Sequence, residues 1–86
     1  MAVRVLCFFQ PGCMGCMEQE PINREVTKTL GVAIEEIDAI GQNEYIARYN
    51  LKVTPTIIVL ADGVEKERFE GVVHAEQLED AVKEYL

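Results

Sequence analysis

The residues best suited to chemistry are crowded near the start of the chain: Cys7, Cys13 and Cys16, the only three cysteines, fall in the first fifth of its 86 residues. Two of them stand three positions apart in "FFQPGCMGCMEQEP", residues 8 to 21, directly after an apolar run. Side chains at i and i+3 of a first helical turn lie about 5–6 Å apart at Cβ, and a small adjustment brings two such cysteines to disulfide distance. The pair can therefore open and close without refolding its surroundings. Cys13, at a helix N-terminus, meets unpaired N–H groups and the positive end of the macrodipole, which favour a thiolate. Cys16, one turn inside, is the more sheltered and less acidic sulfur. An exposed attacking thiolate beside a sheltered resolving thiol is what thiol–disulfide exchange requires.

Two other uses of the cysteines compete with this one. A structural clip is the weaker, because an inert disulfide does not persist in a reducing compartment, and a secreted disulfide scaffold spreads an even number of cysteines along its length. A metal or metal-cluster site has Cys7, Cys13 and Cys16 to draw on, one ligand short of the usual four. The only histidine, His74, lies near the start of the last helix. Such a site would be completed across a dimer.

The elements that must position the pair follow from apolar spacing and from turn residues. "VRVLCFF", residues 3 to 9, is β-branched and aromatic, as in a strand buried on both faces. Pro11 and Gly12 break it. From Cys13 to about Leu30 the period is helical, with Ile22, Val26 and Leu30 on one face, Pro21 inside as a kink, and Gly31 as the stop. "VAIEEID", 32 to 38, is a second strand. Residues 41 to 50 form a short helix that buries Ile46 and one tyrosine and ends at Asn50, which tolerates the left-handed conformation. Residues 56 to 70 are a hairpin about an Asp62-Gly63 turn. A last helix from about Ala75 to Leu86 buries Leu78, Val82 and either Tyr85 or Leu86. The order βαβαββα predicts a single α/β domain over 1–86, a four-stranded mixed sheet with helices on both faces.

Composition narrows the partners. The formal charge is −7, and five of the 8 basic but twelve of the 15 acidic residues lie after Gly31. An acidic surface argues against binding a phosphate backbone. The opening residues have too short an apolar run for a signal sequence, and nothing approaches the roughly 20 apolar residues of a membrane span. A cytoplasmic protein is the expectation.

"CFFQPGCMGC", Pro21 five residues after the second cysteine, "VTPT" at 53 to 56, the Asp62-Gly63 turn, Gly71 and the terminal helix together resemble the thioredoxin family, in a short form without the extra N-terminal strand and helix. The resemblance runs through almost the whole chain. It implies the thioredoxin fold and a protein disulfide reductase in which Cys13 is the nucleophile and Cys16 the resolving thiol. A cis peptide bond between Thr54 and Pro55 would face them, and Thr54, Pro55, Met14 and Gly12 would contact the substrate. No bound cofactor is implied beyond a redox-active Cys13–Cys16 disulfide. The implied partners are disulfide-containing target proteins and a thioredoxin reductase-type electron donor, with the protein acting as a monomer.

The chain departs from the family in two places. Gly12-Cys13-Met14-Gly15-Cys16 lacks the tryptophan before the pair and the proline within it, so that Met14 supplies part of the apolar docking rim with an adaptable side chain. Six residues before Cys13, where thioredoxins usually place a buried aspartate that takes the resolving thiol's proton, stands Cys7. It is read first as a small core residue. The sharper alternative is a modulating role, as a third redox thiol or a metal ligand beside Cys16. Proton removal from Cys16 is then left to water, a backbone group, Glu18 or Glu20. A glutaredoxin would need paired glycines and an aspartate after the hairpin, where this chain has "FEGVVHAEQ", which disfavours glutathione.

Overall fold

The computed structural model describes residues 2–86. The elements are β1 Val3–Phe9, α1 Met14–Leu30, β2 Ile34–Asp38, α2 Glu44–Arg48, β3 Thr56–Ala61, β4 Val64–Glu70 and α3 Ala75–Lys83. The four strands make one sheet in the order β2-β1-β3-β4, with β1 and β2 parallel and the other two pairings antiparallel.

Alternation along β1 divides the core in two. Val5 and Cys7 point to the face that carries Val26 of α1 with Leu78 and Val82 of α3, whereas Leu6 and Phe8 point to the face covered by Tyr45 and Tyr49 around α2. Every residue of β3 is buried, as a central strand covered on both sides should be. The hairpin turn has positive φ at both Asp62 (51°) and Gly63 (81°), the backbone that a two-residue connection needs to match the strand twist.

Several local expectations are corrected. The second strand begins at Ile34 rather than residue 32. The second helix is one short turn, too short to bury a stripe, and Ile46 is 38% exposed. Both tyrosines, not one, pack there, with ring centroids 5.5 and 5.6 Å from Phe8. The last helix ends at Lys83 rather than Leu86, and beyond it Tyr85 packs against the core while Leu86 is exposed.

Helix α1 holds the feature least visible in the sequence. Its buried residues are Gln19, Asn23 and Val26, two of them polar. Ile22 and Leu30 are only partly buried at the core's margin. The Gln19 amide spans from α1 to the chain before α3: its Oε1 accepts from Val73 N–H at 2.9 Å, and its Nε2 donates to Val73 C=O and to Asn23 Oδ1, both at 3.0 Å. Three buried groups depend on one side chain that is itself 0% exposed. Gln19→Ala should therefore cost about 3 kcal/mol, since it strands a backbone N–H and C=O as well as leaving a void. The check is the guanidinium midpoint of the variant at unchanged slope; a loss under about 1 kcal/mol would mean water replaces the amide.

Candidate active site

The site forms where β1 ends, α1 begins and β3 starts. After Phe9 the chain turns through Pro11 and Gly12, the latter at φ 78°, a conformation that a residue with a Cβ rarely adopts. This delivers Cys13 to the N-cap of α1 with extended φ and ψ of −86° and 113°. An N-cap side chain normally offers oxygen to the free N–H groups of the first turn. Here sulfur does so, Cys13 Sγ accepting from Cys16 N–H at 3.1 Å. Cys13 and Cys16 are joined as a disulfide, with Cα atoms 5.2 Å apart, and both are half-buried.

Against this sulfur stands the segment before β3. The Thr54–Pro55 peptide bond is cis. The Thr54 hydroxyl donates to Cys13 Sγ at 3.4 Å, and Thr54 C=O lies 3.5 Å from the same sulfur. The approach is close: a Cβ on Gly15 would stand 3.0 Å from Pro55 Cδ and 3.4 Å from Val72 Cγ2, a tight contact. The Pro55 carbonyl is fixed in turn by Gly71 N–H at 2.8 Å. Gly12, Cys13, Met14, Cys16, Thr54 and Pro55, which are far apart in sequence, thus meet at one end of the sheet.

The disulfide lies between two clefts. On the Thr54 side, a groove of about 240 Å³ runs past Ile40, Ile46 and Val53. Around it and the disulfide, Met14 (79%), Met17 (67%), Ile40 (58%) and Val53 (49%) are far more exposed than apolar side chains usually are. On the other side a cleft of about 260 Å³ reaches from Cys13 and Cys16 down to Cys7, Asn23, Glu20 and Glu36.

Cys7 is 3% exposed, and burial pushes its thiol up to about 11, the Asn23 amide tempering the rise and the Glu36 charge adding to it. It is therefore a neutral thiol at ordinary pH, and a poor nucleophile. Glu36 is the partner of Cys7 in the β1–β2 register. Partial burial raises its carboxyl above the usual range, the neighbouring charge of Glu20 raises it further, and Arg24 opposes both. Glu18 is exposed and away from the cleft, and Glu20 lines it but is engaged by Arg24. His74 stands at the N-cap of α3, exposed and with no side-chain hydrogen bond to the helix. Among the described residues no group of three or more His, Cys, Asp or Glu side chains is placed to hold a metal ion.

Sequence reasoning missed Asn23 and Glu36. A signal for Asn23 exists, since positions 16, 19, 23, 26 and 30 share one face of a helix and two of them are amides. Glu36 carries none, because only the strand pairing brings it beside Cys7.

A family model described as Thioredoxin matches residues 2–84. Chloroplastic thioredoxin Y2 of Arabidopsis thaliana is 32% identical over 81 residues, covering 92% of this chain and 48% of its own length. The thioredoxin of Bacillus subtilis strain 168 is 30% identical over 81 residues, covering 92% of this chain and 78% of its own. The chain spans about half the length of the curated plant relatives that it matches. A solved thioredoxin-2, described as a component of malaria parasite protein secretion machinery, superposes with a TM-score of 0.91 at 25% identity over 96% of this chain and 82% of its own. The four-stranded mixed sheet with its three helices is the thioredoxin fold, and the chain belongs to the thioredoxin family.

Proposed function

We propose that residues 1–86 act as one domain that exchanges electrons with protein disulfides through Cys13 and Cys16. The single observation that carries this is the double role of Cys13: its sulfur caps α1 by accepting from Cys16 N–H at 3.1 Å and also accepts from the Thr54 hydroxyl at 3.4 Å. In the reduced protein the same two donors and the helix terminus stabilise a thiolate there, and no acidic side chain lies in the first turn of α1 to oppose it. The thiolate attacks one sulfur of a target disulfide, and the other target sulfur leaves with the electron pair. Cys16 then attacks Cys13 Sγ, which closes the 13–16 disulfide and releases the reduced target. A separate reductase returns two electrons to the pair.

The exposed rim of Met14, Met17, Ile40 and Val53 supports docking of an apolar, extended stretch of the target beside Thr54 and Pro55. Gly12 leaves the approach to Cys13 free of side chain. The acidic charge of −7 supports protein rather than nucleic-acid partners. No described helix is long and apolar enough to cross a membrane. We read the protein as a cytoplasmic monomer, a reducing setting in which the dithiol form can be restored. Cys7 we assign to packing.

Cys13→Ser should bring insulin-disulfide reduction down to the rate of dithiothreitol alone. Cys16→Ser should instead accumulate a mixed disulfide between Cys13 and the target, visible as a heavier band without reductant. Unimpaired reduction by the Cys13 variant would overturn the proposal.

Packing of Cys7 has its own signature in pH. The folded thiol titrates at about 11 against an ordinary 9.0. The folded state therefore keeps a proton that the unfolded chain releases between those values, so the contribution is complete below pH 9 and is lost as pH rises toward 11. Wild type should lose on the order of 2–3 kcal/mol more across that window than Cys7→Ala, read by urea melts of the oxidised proteins. Parallel curves for the two would show that the thiol is not sheltered.

A further inference from the structure

The exchange proposed above leaves one proton without a destination. For Cys16 to attack the mixed disulfide on Cys13, its thiol must first be deprotonated, and the position on β1 nearest in role to an acid holds Cys7. At neutral pH that thiol keeps its own proton. Glu18 does not line the cleft, and Glu20 pairs with Arg24.

The hydrogen bonds behind the disulfide are oriented toward another group. Val73 N–H must donate, so the atom of Gln19 that it meets is the acceptor Oε1, and the other end of that amide is the donor Nε2. The Asn23 atom receiving Nε2 is accordingly Oδ1. This chain of constraints turns the Asn23 Nδ2 away from Gln19. Asn23 is 2% exposed, and among the described residues its Nδ2, the end of the amide that tempers the Cys7 thiol, makes no hydrogen bond of ordinary geometry. A buried amide N–H2 without a partner costs about 1–3 kcal/mol, and water in an adjoining cleft that also offers other polar groups supplies the usual remedy. Asn23 lines the 260 Å³ cleft together with Cys16 and Glu36. Parallel pairing of Cys7 with Glu36 puts the Glu36 side chain on the α1 face, on that same cleft.

We propose that Glu36 accepts the Cys16 proton in the resolving step, through water held in the cleft by Asn23 Nδ2. The inference rests on the exchange reading. The Cys16 proton passes to the water and a water proton passes to the Glu36 carboxylate. The Cys16 thiolate pair forms the Sγ–Sγ bond to Cys13, the bond from Cys13 to the target sulfur breaks, and that sulfur leaves as a thiolate with the electron pair. The target is reduced and the two cysteines are oxidised. The proton on Glu36 returns to the departing thiolate or to solvent.

The groups facing Glu36 tune it for this work. Glu20, Arg24 and Lys28 on α1 and Cys7 on β1 surround it, with Cys13 and Cys16 across the cleft. Its raised carboxyl is a better base for a thiol than a fully solvated one, because its acidity lies closer to that of the group it must deprotonate.

Reduced protein mixed with an aryl disulfide in a stopped flow releases coloured nitrothiobenzoate twice, first as Cys13 attacks and then as Cys16 resolves. Glu36→Gln should leave the first phase unchanged and slow the second at pH 7 by about tenfold, below the roughly 10²–10⁴-fold typical of a positioned base because bulk water competes. It should also erase the rise of the second phase with pH through the carboxylate's titration, which Glu36→Asp should keep. A carboxylate acting only as a nearby negative charge predicts the opposite sign, since its removal makes Cys16 more acidic and speeds the second phase. A second phase that is unchanged or faster in Glu36→Gln, or a proportional slowing of both phases, overturns the role of Glu36. A missing first phase in wild type overturns the exchange reading itself.

Discussion

Everything at this site depends on a sulfur being asked to do the work of an oxygen. The first turn of any α-helix leaves backbone N–H groups that need an acceptor. In α1 one of them, Cys16 N–H, is satisfied by Cys13 Sγ. Capping fixes where the sulfur sits and places it in the field of the helix terminus, so a single contact sets both its position and its electrostatic surroundings. The neighbouring features follow. Gly12 provides the left-handed turn that brings the cap into place, and Gly15 leaves room for Pro55, whose companion Thr54 reaches the other side of the sulfur. A Cβ at position 15 would crowd the Pro55 ring of the segment that flanks this cap.

Behind the cap, α1 is attached to the sheet partly through amides. Gln19 replaces what would have been an apolar contact with three hydrogen bonds, two of them to the Val73 backbone. Buried polar groups of this kind are directional where apolar packing is not. They settle the rotation of α1 about its axis, and with it the direction in which Cys16 faces. Asn23, oriented by Gln19, then lines the cleft beside Cys16.

Punctuation made most of the fold legible in the sequence. Pro11-Gly12, Gly31, Asn50 and Asp62-Gly63 sit at boundaries because their backbones do what few other residues can, and Gly31 ends α1 by donating its N–H to Thr27 C=O at 2.8 Å. The apolar periods of β1, β3 and α3 identified core residues for the same reason: each element has one way to bury its stripe. Ile46 misled because a helix of a single short turn cannot shelter it. Gln19 and Asn23 carried a signal in their helical spacing, but polarity in a sequence is first read as exposure, and Glu36 carried none. Only the pairing of Cys7 with Glu36, distant in the chain, turns a charged residue in "VAIEEID" into a neighbour of the disulfide.

The sheet has two open margins, β2 and β4, and β4 reads "VEKERFE". Arg68 on that strand binds Glu65 through its Nε at 2.8 Å and Nη2 at 2.9 Å, and Nη2 also donates to the Tyr49 carbonyl at 2.6 Å. A strand arriving from another molecule would have to pair its backbone along this charged row and to disturb that bracket. Self-templated growth is discouraged there by charge. A chain with an apolar rim at one end of its sheet can thus be concentrated without its β4 margin becoming a seed for fibres.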